Sequence, residues 1–120
     1  MNKILVVDDE IHVVRLIQEF LTMKGYEVYT AADGTEAIQK VQELKPHIVL
    51  LDMIMPGMNG GRVFDLLREI NPGVKVILSS GYSIAGEASK IMARGCNGFI
   101  QKPFGIKELS QKIREILDKQ

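Results

Sequence analysis

Short apolar segments alternate with amphipathic segments along the whole 120-residue chain. A near-continuous apolar run such as Ile48–Leu51 is typical of a strand that is covered on both faces of its sheet. The pattern predicts strands at Lys3–Val7, Glu27–Ala31, Ile48–Leu51, Val74–Ser79 and Gly98–Gln101.

The segments between these strands carry apolar residues three and four positions apart, which predicts five helices. The apolar stripe of the first helix consists of Val13, Leu16, Ile17, Phe20 and Leu21. The stripes of the second, third and fifth helices are Ala37, Val41 and Leu44; Val63, Leu67 and Ile70; and Ile106, Leu109, Ile113 and Ile116.

Polar residues and glycines indicate where helices begin and end. Asp33 and Glu36 form a capping-box pattern at the start of the second helix. Gly25, Gly73 and Gly95 lie where helices should stop.

The fourth helix has the weakest pattern of the five. It is predicted over Ile84–Ala93, with a thin apolar stripe. Gly86 lies inside this range and costs about 1 kcal/mol relative to alanine. We therefore expect a marginal helix.

Alternating strands and helices predict an α/β fold. Strand–helix–strand units of this length form right-handed crossovers and a parallel sheet. We expect a (βα)5 architecture with a doubly wound, five-stranded parallel sheet in the flavodoxin-like order 2-1-3-4-5, within a single domain over residues 1–120. In such sheets the functional site lies at the carboxyl ends of the strands, beside the point where the strand order reverses.

Charge balance and composition limit the classes of function. Fifteen basic and fifteen acidic residues cancel, so no overall field favours nucleic acid or a membrane, and we expect neither as a direct partner. The single cysteine, Cys96, cannot form an internal disulfide, and no long apolar run or signal peptide is present. These features fit a cytoplasmic location, with Cys96 as a packing or turn residue.

Charged and hydroxyl side chains follow four of the predicted strands. They are Asp8–Asp9–Glu10, Asp52, Ser79–Ser80 and Lys102–Pro103, after the first, third, fourth and fifth strands. The expected strand order brings them into one cleft. Carboxylates about 4–5 Å apart repel by about 3–4 kcal/mol at an effective dielectric near 20, so the cluster should bind protons or a cation. Oxygen ligands without histidine or cysteine favour Mg²⁺.

The same residues supply the groups that phosphoryl transfer needs. Asp52 is a carboxylate able to form an aspartyl phosphate, Lys102 can pair with phosphate oxygens, and Ser80 offers a hydroxyl donor. Taken alone, each has an ordinary structural alternative, such as a helix cap for Asp8 and Asp9 or a turn for Asp52. Their order at the strand ends favours chemistry.

The residues around these positions resemble the receiver domains of bacterial two-component response regulators, such as the chemotaxis regulator. The resemblance extends over essentially the whole chain, and its order of motifs is specific. The matching stretches are ILVVDDE (4–10), GYEVYTAADGTEAI (25–38), PHIVLLDMIMPGMNGG (46–61), VKVILSSGYS (74–83) and GCNGFIQKPF (95–104).

The resemblance implies Asp52 as the phosphoacceptor and Mg²⁺ as the cofactor, with Mn²⁺ as an alternative. Asp9 would bind the ion directly and Asp8 mainly through water, with Asp52 as a further member of the metal site. The backbone carbonyl of Ile54, two residues after the phosphoacceptor, would be a further ligand.

The resemblance also implies how the phosphoryl group is sensed. Lys102 matches the family's lysine and should precede Pro103 through a cis bond. Ser80 would move toward the phosphate and Phe99 would turn inward. The face formed by the fourth helix, fifth strand and fifth helix would then change its partner preference.

The implied partners follow from this switch. A sensor histidine kinase or a phosphotransfer protein would be the donor, and a downstream effector protein or domain would read the result. A phosphorylation-dependent dimer through the same face is an alternative output. The chain would be a phosphorylation switch rather than a classical enzyme. The string SSGYS…GFIQKPF also resembles receivers of hybrid histidine kinases, so a free-standing regulator and a module of a larger protein both stay open.

Three positions depart from the commoner family pattern. Gly105 replaces the usual polar cap of the last helix. Ile54 and Tyr82 lie two residues beyond Asp52 and Ser80, where neither can easily orient a hydrolytic water. We therefore expect slow loss of the phosphoryl group, over minutes or longer.

Three other functions are weighed against this one. A degenerate receiver would only bind proteins, which the intact Asp52 and Lys102 argue against. A carrier of FMN shares the strand order, but Asp8–Asp9–Glu10 would repel its phosphate. A phosphatase usually has a second acid two residues after the nucleophile, where Ile54 stands.

Overall fold

The elements lie close to their predicted positions in the computed structural model, which describes residues 2–55, 57–81 and 86–119. The strands are β1 (Lys3–Val7), β2 (Glu27–Ala31), β3 (Ile48–Asp52), β4 (Ile54–Met55), β5 (Met58–Asn59), β6 (Lys75–Ser80) and β7 (Gly98–Gln101). The helices are α1 (Ile11–Met23), α2 (Gly34–Leu44), α3 (Gly60–Ile70), α4 (Glu87–Ala93) and α5 (Ile106–Asp118).

Five strands form one parallel sheet in the order β2-β1-β3-β6-β7. The predicted order 2-1-3-4-5 of the long strands is therefore confirmed. Ile4 of β1 lies opposite Val28 of β2 and Ile48 of β3, and Val49 of β3 lies opposite Val76 of β6. The strand order reverses between β1 and β3, so their carboxyl ends mark the switch point of the sheet.

Successive side chains of β1 and β3 point to opposite faces of the sheet and enter two cores. The core beneath α2, α3 and α4 contains Leu5, Val7, Val49 and Leu51. The core beneath α1 and α5 contains Ile4, Val6, Ile48 and Leu50. None of the helices in the described ranges is both long and apolar enough to span a bilayer.

The predicted apolar face of α1 is partly wrong. Leu16 is predicted to be buried but is 60% exposed, whereas Val14, outside the predicted stripe, is 7% exposed. Ile17 and Leu21 are buried as predicted. Because apolar residues surround most of the first two turns of α1, periodicity alone does not determine which edge of the stripe faces the sheet.

Helix α4 begins at Glu87, so the prediction that Gly86 lies inside a helix is wrong. Gly86 is the N-cap, with a φ of 56° that glycine adopts without strain. Ile84 lies outside the described residues. The thin apolar face is confirmed, since Ala88 and Ile91 are the buried residues of α4.

The other helix ends largely follow the predictions. The Glu36 N–H donates to Asp33 Oδ1 at 2.8 Å, and the Glu36 carboxylate accepts from the Ala32 N–H at 2.7 Å. Gly25 and Gly95 follow α1 and α4 with φ values of 96° and 102°.

The predictions for the helix ends at Gly73 and Gly105 have different outcomes. Helix α3 ends at Ile70, so Gly73 lies in the following turn rather than at the helix end. Gly105 is the N-cap of α5 and makes no side-chain bond, as predicted.

The buried Cys96 thiol donates to the Val76 carbonyl at 3.2 Å, and burial raises its pKa. A packing role for Cys96 is confirmed.

Side chains from two helices cover the outer edge of strand β2. Gln18 of α1 donates from Nε2 to the Val28 carbonyl at 3.2 Å, and the Lys40 ammonium of α2 donates to the Thr30 carbonyl. Strand β2 is an edge of the sheet, where unpaired backbone groups can recruit another strand. Two acceptors of this edge are therefore satisfied within the domain.

The segment after Asp52 forms a small antiparallel hairpin that the sequence does not predict. Ile54 pairs with Asn59, and Met55 pairs with Met58. Strands of two residues are too short to leave a periodic signal.

Gly60 follows the hairpin and allows a close approach between two backbone segments. A Cβ atom at Gly60 would lie 2.6 Å from the carbonyl oxygen of Met53 and 2.9 Å from its Cα. Asn59 holds the chain in this position, because its side chain accepts from the Gly61 N–H at 2.8 Å as the cap of α3. The loop after β3 can therefore pack against α3 only through a glycine.

Replacing Gly60 with alanine should lower the free energy of unfolding by about 1–3 kcal/mol, because the new methyl group meets backbone atoms. In the control Gly73→Ala, the new Cβ would have Asn71 Oδ1 as its nearest neighbour at 3.8 Å, and the change should stay below about 0.5 kcal/mol. Urea unfolding measures both variants. Equal stabilities would contradict the close approach.

Candidate functional site

The polar residues at the strand ends converge at the carboxyl edge of the sheet. Asp52 ends β3 and Ser80 ends β6, while Asp8 and Lys102 directly follow β1 and β7. These four strands are consecutive neighbours in the sheet, so the predicted cleft is present.

Backbone hydrogen bonds continue the sheet into this edge. The Met53 N–H donates to the Ser79 carbonyl at 2.8 Å, and the Lys102 N–H donates to the Ser80 carbonyl at 2.7 Å. The backbone is thereby fixed immediately after Asp52 and at Lys102. Both side chains are positioned by the sheet rather than by free loops.

Lys102 supplies the cation of the site. Its ammonium nitrogen lies 2.7 Å from Asp8 Oδ2 and 3.5 Å from both Asp52 Oδ2 and Glu10 Oε1. The side chains of Asp8 and Asp52 are buried, so these charges are only weakly screened by salt and water. The bond between Lys102 and Pro103 is cis, as predicted.

Three carboxylates form a candidate cation site. Asp8, Asp9 and Asp52 each offer one oxygen, and these oxygens lie within 4.8 Å of one another. Asp8 and Asp52 are buried and Asp9 is exposed. A hard divalent cation that keeps several of its waters suits an all-oxygen site that is open on one side. The residues therefore fit Mg²⁺ or Mn²⁺, and binding of the ion stays a prediction.

The surroundings of Asp52 raise its pKa from an ordinary value of 3.8 to about 6. Burial is the main cause, and the nearby Asp8 carboxylate adds to it, while Lys102 and the Ile54 N–H act in the opposite direction. Besides burial, the raised pKa reflects negative charge in the cluster that one ammonium group does not balance. This excess favours recruitment of a further cation.

The pKa of Lys102 responds to the same groups. Burial lowers this pKa, but the hydrogen bond to Asp8 and the charges of Asp52, Asp8 and Glu10 outweigh burial and raise it overall. Lys102 therefore stays protonated across the physiological range.

The remaining predicted residues lie around this cluster. Ser80 is buried, and Phe99 is half-buried and packs against the core beneath α2, α3 and α4. The Ile54 side chain is 53% exposed, and its N–H donates to Asp52 Oδ1 at 3.4 Å. Tyr82 lies outside the described residues. The roles of Ser80, Phe99 and Ile54 stay predictions.

Sequence reasoning missed an apolar groove beside Lys102. The groove has a volume of about 510 Å³, and its charged lining residues are Glu10 and Lys102. Its apolar lining residues are Val13, Leu16, Ile17, Pro103, Phe104 and Ile106. The available signal was the surplus of apolar residues on α1, which exceeds what one buried face requires.

Comparisons with known proteins agree with this geometry. A family model described as the response regulator receiver domain matches residues 4–114. The probable transcriptional regulator ycf27 of Cyanophora paradoxa is 39% identical over 116 residues, which are 97% of this chain and 48% of that protein. The sensor kinase CckA of Brucella abortus (strain 2308) is 37% identical over 119 residues, 98% of this chain and 13% of that protein. The chain spans about half the length of the first relative and much less of the second.

A solved structure matches over nearly its whole length. It is a CheY-like response regulator receiver domain protein from Methanospirillum hungatei JF-1, with a TM-score of 0.93 and 31% identity over 99% of this chain and 95% of that chain. The similarity therefore includes the complete sheet and its carboxyl edge.

The raised pKa of Asp52 predicts a stability cost that depends on pH. Below about pH 4 the carboxyl is protonated in both the folded and the unfolded chain and the cost is absent; it grows up to about pH 6 and is full above that. Without divalent cations, Asp52→Asn should therefore raise the free energy of unfolding by about 1–3 kcal/mol at pH 7.5, and by much less near pH 4.

Urea unfolding at the two pH values measures this difference. Asp118→Asn, at the exposed end of α5, is the control and should change stability by less than about 0.5 kcal/mol at either pH. Lower stability of Asp52→Asn at pH 7.5 would contradict the assignment of a buried, repelled carboxylate.

Proposed function

Because the chain belongs to the response regulator receiver family, we propose that it is a phosphorylation switch in which the Asp52 carboxylate accepts a phosphoryl group. One observation carries the proposal: buried Asp52 lies beside both the Lys102 ammonium and the carboxylates of Asp8 and Asp9. Nucleophile, cation and candidate metal ligands therefore share one cleft at the switch point of the sheet.

The reaction is a transfer between two protein side chains. An oxygen of ionised Asp52 attacks the phosphorus of a phosphohistidine, a new oxygen–phosphorus bond forms, and the nitrogen–phosphorus bond breaks with its electron pair on the imidazole nitrogen. Lys102, 3.5 Å from Asp52 Oδ2, can pair with an oxygen of the transferred group. Positioning and charge neutralisation supply most of the catalysis.

Asp8, Asp9, Asp52 and the backbone carbonyl of Ile54 are the residues that would hold Mg²⁺ or Mn²⁺. When bound, the ion neutralises charge on the phosphoryl oxygens. The Asp8 carboxylate is shared between this site and Lys102, whose ammonium is 2.7 Å away. Asp8 would therefore contact both Lys102 and the ion, the two positive charges near Asp52.

Ser80 and Phe99 are the residues through which the phosphoryl group would change the surface. Ser80 is buried at the end of β6, next to β7, and its hydroxyl can donate to a phosphoryl oxygen. Phe99 on β7 is half-buried, so an inward turn of its ring would change the exposed surface of β7. The face of α4, β7 and α5 would then differ between the two states.

The output depends on what the whole protein contains. The names of the two relatives describe a transcriptional regulator and a sensor kinase, and in each the matching region is joined to further sequence. We propose that this chain acts likewise on a downstream effector protein or domain, in trans or within a larger protein. The expectation that it does not itself contact nucleic acid stays a prediction.

The apolar groove beside Lys102 suits the protein that donates the phosphoryl group. Lys102 and Glu10 belong both to the groove and to the site, so a donor that covers the groove would lie next to Asp52. Exposed Leu16 and Ile106 offer it an apolar contact. A sensor histidine kinase or a phosphotransfer protein would cover them.

Phosphorylation can be tested with a small donor. The purified chain incubated with acetyl phosphate and Mg²⁺ should gain one phosphoryl group, seen by mass spectrometry of the intact protein and mapped to Asp52. EDTA should prevent labelling, Mn²⁺ should restore it, and Asp52→Asn should abolish it. Asp118→Asn is the matched control and should be labelled normally. Labelling of Asp52→Asn would place the acceptor at another residue and contradict the role of Asp52, and absence of labelling in the wild type would leave only a protein-binding module.

Docking can be tested separately from the chemistry. Leu16→Ala should slow transfer from a phosphorylated histidine phosphotransfer protein by about ten-fold, because it removes a central apolar contact, while labelling by acetyl phosphate stays unchanged. The donor is one shown first to phosphorylate the wild type. Met23→Ala, at an 84% exposed position outside the groove, should transfer normally. Equal rates for Leu16→Ala and wild type would place the donor elsewhere.

A further inference from the structure

Helix α4 is held unequally at its two ends. At the first turn, the N-cap Gly86 has no side chain to accept from the helix. The ion pair between Glu87 and Lys90 has a distance of 3.6 Å and side chains that are 54% and 71% exposed, so it contributes little. Ala88 is the buried residue of this turn. Among the described residues, which leave out 82–85 directly before this turn, the contacts of the beginning of α4 are therefore few and weak.

The C-terminal end of α4 is tied to α3 by Arg94. The Arg94 guanidinium donates from Nε to Asp65 Oδ1 at 2.9 Å and from a terminal nitrogen to Asp65 Oδ2 at 3.4 Å. The same terminal nitrogen donates to the Gly61 carbonyl at 3.2 Å. Two-point pairing of arginine with a carboxylate fixes direction as well as distance.

A second arginine ties α3 to the segment that follows α4. Arg68 donates from a terminal nitrogen to the Gly95 carbonyl at 3.0 Å and to Asn97 Oδ1 at 2.6 Å. Its Nε donates to the Val74 carbonyl at 3.0 Å. Asn97 Oδ1 also accepts from the Val76 N–H at 2.9 Å, which joins this end of α4 to the start of β6.

Both guanidinium groups pack on one aromatic ring. The ring centre of Phe64, a buried residue of α3, lies 5.0 Å from the Arg68 guanidinium carbon and 5.9 Å from that of Arg94. A planar guanidinium on an aromatic face adds a cation–π contact to the hydrogen bonds. The two arginines and Phe64 form one unit, which we call the arginine clamp.

We propose that α4 moves as a lever whose pivot is the arginine clamp, so that its first turn rearranges while its C-terminal end stays fixed to α3. The clamp also reaches the loop after Asp52: Gly61, whose carbonyl binds Arg94, has its N–H held by Asn59 of the hairpin. The pivot is therefore attached to the hairpin that follows Asp52. This inference concerns how α4 is held and does not depend on phosphorylation of Asp52.

Amide hydrogen exchange of the wild-type chain tests the pivot directly. Helix ends normally fray at both termini. Here the amides of Arg94 and Gly95, bonded to Ile91 and Met92, should be protected at least about ten-fold more than the Lys90 amide, which is bonded to Gly86. Equal protection at the two ends would overturn the proposal.

A substitution series separates the pivot from general stability. Arg94→Lys keeps the charge but loses the two-point pairing, and it should lower the protection of Gly95 by about ten-fold, with no change in the amides of β3. Lys90→Ala, which removes the exposed ion pair, should leave Gly95 unchanged. The double swap Asp65→Arg with Arg94→Asp should restore part of the protection.

Two results of the substitution series would contradict the pivot. If Arg94→Lys lowers the protection of β3 and Gly95 by the same factor, Arg94 contributes only to global stability and α4 has no pivot there. If Lys90→Ala has the larger effect on Gly95, the helix is held from its first turn instead. None of these measurements requires a phosphoryl donor or a metal, so their failure is distinct from failure of the proposed phosphorylation.

Discussion

The pairing of one ammonium group with two buried carboxylates is the interaction on which the site depends. Lys102 lies between Asp8 and Asp52, and their charges could not stay buried together without it. The pairing in turn depends on the sheet, since β1, β3 and β7 must end at the same edge. A single cation leaves the cluster with an excess of negative charge. A divalent ion can neutralise this excess.

The position of the site was predictable because it follows from topology. In a parallel sheet the carboxyl ends of all strands meet at one edge, so the strand order together with residues such as Asp8, Asp52 and Lys102 sufficed to predict the cleft. The predictions rested on strands buried on both faces, whose apolar runs are hard to confuse with loops. The same reasoning could not supply distances, and it did not predict the contact between Glu10 and Lys102.

The parts that the sequence did not predict have no periodic signal. On α1 the choice between Val14 and Leu16 depended on which side of a broadly apolar helix met the sheet, and that is decided by neighbouring elements. The start of α4 depended on the conformation of Gly86, which no capping side chain marks. The contacts of Arg68 and Arg94 join residues distant in sequence. Long, flexible side chains like these can satisfy many partners, so only the packed fold selects one.

The covered edge of β2 has a consequence when the domain is covalently joined to other domains in a longer protein. A domain tethered to others meets their exposed strands at millimolar effective concentration, far above that of free proteins in solution. The long side chains of Gln18 and Lys40 occupy the Val28 and Thr30 carbonyls and so compete with any foreign strand for this flank. This edge of the domain is thereby protected from pairing with strands of its neighbours, and its contacts with them would come from its other surfaces, among them the face of α4, β7 and α5.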